Sequence, residues 1–194
     1  MLARLITRIA NAMAMLGGLV LCLLIVMTVL SIIGRGLNGL GHDATLERAL
    51  PALAAWLVAH TGPVTGDYEL IEAGIAFAIF AFLPICQLSA GHARVDLFAK
   101  ALPPVAHRTL TALWEIGLAL VIIVIGWRLC LGFVEKLDNG QTTFLLQLPV
   151  WWAYGASFLA ACVAGLVGIY CAAMGLLELV TGRPHLPSSD GAAP

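Results

Sequence analysis

Charge is what this sequence has least of. Of its 194 residues only 11% are Asp, Glu, Lys or Arg, against about 25% in a soluble domain whose surface must be hydrated. With 61% hydrophobic residues and a mean hydropathy of +0.98, the chain has too little polar surface to close a water-facing globule. A basic excess is missing as well. The net charge of −1 offers no electropositive footprint for nucleic acid. The five cysteines, Cys22, Cys86, Cys130, Cys162 and Cys171, form no CxxC pair and all fall in apolar stretches. That argues against a disulfide framework and a metal site, and leaves inert thiols packed as small hydrophobes. Histidine is missing from those stretches: His42, His60, His92, His107 and His185 all fall in loops or tails. A haem held within a helix bundle needs histidines on facing helices, so no cofactor is expected.

What the chain does have is apolar length. About 20 residues of helix cross a ~30 Å hydrocarbon core. Four stretches qualify, at about 10–33, 70–90, 109–134 and 150–177, so the expected fold is an all-α membrane protein with four transmembrane helices. Residues 1–187 form a single membrane domain on this reading, and the polar run 188–194 is a flexible tail. Arg4 and Arg8 precede the first stretch, as they would in a signal peptide. Its apolar part is far longer than a ~7–15-residue signal core, so it reads as a retained anchor.

Lysine and arginine set the orientation. Arg4, Arg8, Arg94, Lys100, Arg108 and Arg183 fall on one side, and Arg35, Arg48 and Lys136 on the other, which places both termini in the cytoplasm. The first outer loop, Gly36 to Gly66, is too long for a simple connector. Pro51 begins a stretch in which Leu53, Trp56, Leu57 and His60 share a helical face, which predicts a short interfacial helix.

Several residues stand out as candidates. Glu115 and Arg128 are ionisable groups within a span, a functional signal by default. They do not share a helical face, and each lies about six residues from an end of the span, within snorkelling reach. Asp67, Glu69 and Glu72 open the second span, where carboxylates complement the helix dipole and Asp67 suits an N-cap. Gly91, His92, Arg94 and Asp96 follow that span, with Gly91 suited to a helix C-cap and His92 and Arg94 to headgroup phosphates. Pro149, Trp151 and Trp152 lead into the fourth span as a helix start with an aromatic anchor. Along that span Ala156, Ala160, Ala164, Gly168 and Ala172 recur every four residues, a ridge that lets another helix approach closely, within the bundle or from a partner.

In these residues the sequence resembles the small membrane (DctQ-type) subunit of the TRAP (tripartite ATP-independent periplasmic) transporters. The likeness covers about Asp67 to Tyr154 together with the four-span layout. It rests on the acidic start of the second span (Glu69, Glu72), on Gly91, His92, Val95 and Asp96 followed by Leu102-Pro103, and on Gly140 and Thr143 before Pro149 and Trp151. Leu88-Ser89-Ala90 stands where many relatives carry basic residues, and the first loop is longer than in compact members. The resemblance implies a scaffold role in the bacterial inner membrane and no enzymatic activity. The partners it implies are a large polytopic subunit that carries the solute, a periplasmic binding protein that delivers an organic acid, and membrane lipid. Two alternatives fit the same residues: a small self-contained ion or solute transporter using Glu115, and the membrane anchor of a redox complex.

Overall fold

The structure, a computed structural model, describes residues 2–89 and 104–181. Apart from one isolated bridge between Thr142 and Pro149, its regular secondary structure is helical. In chain order the helices are α1 (Leu2–Gly41), α2 (Ala44–Ala49), α3 (Pro51–His60), α4 (Asp67–Leu88), α5 (Pro104–Asp138) and α6 (Trp151–Thr181). Four of them, α1, α4, α5 and α6, are long and apolar enough to span a membrane.

The long helices run past the apolar stretches that mark them. Hydropathy ends the first span at Ile33, yet α1 continues through Arg35 and Asn38 to Gly41. At 1.5 Å per residue its 40 residues reach about 60 Å, twice the thickness of a hydrocarbon core. Nothing in Gly34–Gly41 breaks a helix outright, and the extension is held by what packs on it. Asn38 Nδ2 donates to the carbonyls of Thr61, at 2.6 Å, and Val58, at 3.3 Å, closing the C-terminal end of α3. A Cβ at Gly34 would overlap the Gly62 carbonyl, so the chain leaving α3 lies directly on α1.

The short helix expected from Pro51 is present, with Pro51 in its first turn. Ala54 is the residue it buries, against Gly41 of α1, while Leu53, Trp56 and His60 stay exposed and the Trp56 and His60 rings stack at 5.1 Å. Helix α2 was not anticipated. Asp43 caps it, Oδ1 accepting from the Thr45 amide at 2.8 Å and the Leu46 amide at 3.3 Å.

Helix α1 packs on α4, α4 on α6, and α6 on α5. The two outer members, α1 and α5, share no substantial packing among the described residues, so the four helices stand in an open row. Helix α6 is the centre: 44% of its most apolar stretch is buried, against 11% for α1. Near the chain termini the row is tightened by Ala10 and Ile6 of α1, which meet Leu88 of α4 and Val167 and Cys171 of α6. Pro84 sits inside α4 at a buried position, where it cannot donate to the Phe80 carbonyl.

Candidate packing seam and hairpin clamp

The small residues of α6 account for its central place. Ser157, Ala160, Ala161, Ala164, Gly165, Val167, Gly168, Cys171 and Gly175 are all buried, a stripe at helical spacing with no bulky side chain but Val167. A Cβ built on Gly168 would lie 3.2 Å from Gln87 Oε1 and 3.4 Å from the Ala119 backbone. Here α4 and α5 close on opposite sides of one glycine. About two turns further along the seam, Gly175 meets Ala112 and the Glu115 side chain. Such contacts are what hold helices together in lipid, where apolar association alone contributes little. Ala160 and Ala164, both fully covered, and Gly168 thus pack inside this chain, and Ala156 and Ala172 at the ends of the ridge are half-buried.

The seam also holds polar groups. Gln87 and Glu115 are each 2% exposed, and the Gln87 amide, Glu115 Oε2 and Ser157 Oγ make no hydrogen bond. Glu115 therefore does not snorkel. Its side chain is covered by α6 at Gly175 instead of reaching outward to an interface. Arg128, by contrast, is exposed.

At the end of the row that carries α3, polar contacts replace the small-residue seam. Buried Ser31 of α1 donates to Asp67 Oδ2 at 2.5 Å and accepts from the Val64 amide at 3.2 Å. Arg35 reaches the same Asp67 oxygen at 3.1 Å and the Tyr68 hydroxyl at 3.2 Å. Asp67 is consequently not the N-cap of α4. Gly66 takes that position at φ 76°, and the Asp67 carboxylate turns to α1 instead. This cluster escaped sequence reading, although a signal exists: Arg35 just after one apolar run and Asp67 just before the next face each other in an antiparallel pair.

Glu69 has a different task from dipole compensation alone. Its carboxylate accepts the amides of Leu145, at 2.6 Å, and Leu146, at 3.0 Å, and so clamps the hairpin that joins α5 to α6. Leu146 packs against Gly66, where a Cβ would overlap its side chain. Gly140 (φ 60°) turns the chain out of α5, and Gln147 is the one non-glycine residue at positive φ (55°) among those described. The Thr143 amide donates to the Leu148 carbonyl at 2.8 Å and the Val150 amide to Gln141 at 2.9 Å. Pro149 forms the bridge with Thr142, and Trp151 lies edge-on to Phe133 at 6.1 Å, with exposed Trp152 beside it. Glu72 is exposed. Gly91, His92, Arg94 and Asp96 lie outside the described residues, as does the 188–194 tail.

No group of three or more His, Cys, Asp or Glu side chains among the described residues could hold a metal ion. Neither a curated protein nor a solved structure matches the chain. A family model does, over residues 52–179, about two thirds of the sequence: tripartite ATP-independent periplasmic transporters, DctQ component. It takes in α3 from its second residue, the Glu69 clamp, the hairpin and nearly all of the α6 seam. The chain is thus a multi-pass membrane protein of a transporter-component family with partner subunits, and it belongs to the DctQ family of TRAP transporter small membrane subunits.

Proposed function

We propose that this chain is a scaffold, which braces the large transport subunit of a TRAP system while that subunit moves an organic acid delivered by a periplasmic binding protein. The open row carries this reading. A closed bundle would use its apolar faces on itself, whereas here α1 and α5 stand at the edges with long exposed apolar sides. Leu19, Leu23, Val26 and Leu30 line one, and Leu113, Leu120, Val124 and Trp127 the other. A membrane partner can lie along such a row while the Gly168 seam fixes its shape. The excess of Lys and Arg in the tails and the second loop over the first and third loops favours an orientation with both termini in the bacterial cytoplasm. Affinity purification in mild detergent tests the reading: a large polytopic protein should copurify, and uptake should require both. Recovery of the chain alone from cells that take up the solute would refute it.

One observation favours a second reading, transport by this chain itself. Glu115 is buried at the junction of α5 and α6, where intramembrane carboxylates often serve ion pathways. Solute or ion flux in liposomes holding this chain alone would support it.

A further inference from the structure

We propose that the hairpin between α5 and α6 is a membrane anchor, whose tip, Phe144-Leu145, sits in the lipid interface beside the first turn of α4. Phe144 is 89% exposed, the most exposed large apolar side chain among those described, and Leu145 and Leu148 beside it are 54% and 40% exposed. From Gln141 to Trp152 no residue carries a charge.

Exposure alone would leave the occupant open. The hydrogen bonding at the tip favours lipid. A loop built for water leaves amides to the solvent, whereas one that enters lipid must satisfy them within the protein. In this hairpin the Thr143 amide donates to the Leu148 carbonyl, those of Leu145 and Leu146 to Glu69, that of Leu148 to Thr143 Oγ1, and that of Val150 to Gln141. The Thr142 and Gln147 amides, on either side of the tip, make no hydrogen bond among the described residues. Pro149 has no amide hydrogen to satisfy. The polar side chains close on each other too, Thr142 Oγ1 donating to Gln147 Oε1 at 3.0 Å and Gln147 Nε2 to the Phe144 carbonyl at 2.9 Å. The positive φ of Gln147 serves this closure.

Position gives the depth. The tip bonds to Glu69, in the first turn of a spanning helix, so it lies level with that helix end. Exposed Tyr68 and Trp152 flank it, the residue types that favour the headgroup level, and Trp152 continues into the lipid-facing side of α6. The anchor is thereby continuous with the surface the spans already give to lipid. Glu69 holds it in register with α4, and Leu146 under Gly66 is the one apolar tip residue turned inward.

Thiol labelling in nanodiscs of zwitterionic lipid tests this with the full chain. Phe144→Cys and Asn139→Cys are each treated with a water-soluble maleimide, first on the chain alone and then with its partner subunits. Both positions are exposed, and Asn139→Cys gives up only the 3.3 Å bond that Asn139 Oδ1 accepts from the Gln141 amide. The unsubstituted chain corrects for the five native cysteines. Because the thiolate is the reacting species and is disfavoured in lipid, the Phe144→Cys thiol should react about tenfold or more slowly than the Asn139→Cys thiol in the chain alone. The difference should vanish after denaturation in detergent. Equal rates in nanodiscs would mean a water-facing tip and overturn the proposal. So would protection that develops only with partner subunits, since the hairpin would then be a protein-docking surface. A spin label at the same two positions, read by its relative accessibility to oxygen and to a polar relaxation agent, must rank them the same way.

Discussion

The two sides of the row are held by opposite means. Helices α4, α5 and α6 meet through alanine and glycine, with backbone close to backbone at Gly168 and Gly175. Helix α1 meets α4 closely at Gly17, where an added Cβ would lie 3.0 Å from Ala81, and meets α3 and the chain after it at Gly41 and Gly34. At that end, however, it is also tied down by side-chain hydrogen bonds from Ser31, Arg35 and Asn38. Small-residue packing is short-ranged and unforgiving, so it fixes a rigid centre. Side-chain hydrogen bonds between neighbouring helices tolerate small movements, and α1 keeps much of its surface for lipid or a partner. A rigid centre with a more loosely stitched edge suits a brace that must hold its own shape and still fit another protein.

The comparison breaks most visibly at Gly168. Replacing it with Leu inserts a side chain where a single Cβ would already stand 3.2 Å from Gln87 and 3.4 Å from the Ala119 backbone. Overpacking of this kind typically costs ~1–3 kcal/mol, and backbone on one side leaves little room for relief. The purified chain should melt earlier, and recovery of the large subunit and uptake should fall together. Val163→Leu, at a half-buried position on the same helix, should do much less. If Gly168→Leu leaves melting, copurification and uptake unchanged, the seam is not where this structure places it.

The stitched side should respond locally. Ser31→Ala removes a donor to Asp67 and the acceptor of the Val64 amide, at a cost of about 1–2 kcal/mol. Hydrogen exchange should rise in Gly62–Tyr68 and in the α1 extension while the α5–α6 seam stays protected. Asp67→Asn should show the same pattern and also remove the ion pair with Arg35, which keeps its bond to Tyr68 and whose exposed side chain adds little by itself. Exchange rising equally in α6 would erase the distinction between the two sides.

Glu115→Gln sharpens the comparison from within the seam. The substitution keeps shape and volume and removes the capacity for charge. A packing role predicts normal copurification and largely intact uptake; loss of uptake with normal assembly would move Glu115 from packing to transport.

Much of this was readable from composition alone. Four spans follow from the apolar runs, and α3 follows from Pro51. The helix ends did not, because outside the hydrocarbon a helix can continue through Arg35 and Asn38 once something packs against it. Hydropathy places Glu115 along its span but carries no sign that its side chain is covered by α6 at Gly175. The ridge of α6 was legible as spacing, but in an alanine-rich chain spacing cannot say whether it faces its own bundle or a partner. Glu69 illustrates the remaining limit. A carboxylate in the first turn of a helix is already explained by the dipole, so nothing in the sequence points to a hairpin 76 residues away.

The smallest expected effect lies furthest from the seam, at Asp43. Hydrogen bonds from Thr45 and from the Leu46 amide hold this carboxyl below the usual aspartate range. A carboxylate whose folded pKa is lowered stabilises the structure at pH above its unfolded value, about 3.9, and loses that contribution as pH falls through the folded value. The cap on α2 should therefore be fully formed at neutral pH and released only in acid, without disturbing the spans. In NMR spectra of the labelled chain the Thr45 and Leu46 amides should titrate together, with an inflection below that of a free aspartate. Asp43→Asn, which can still cap but carries no titrating proton, should abolish the inflection and leave the neutral-pH shifts of α3 in place. An inflection at the ordinary aspartate value would mean that the cap does not form, and that the α1 extension ends in a simple loop before α3.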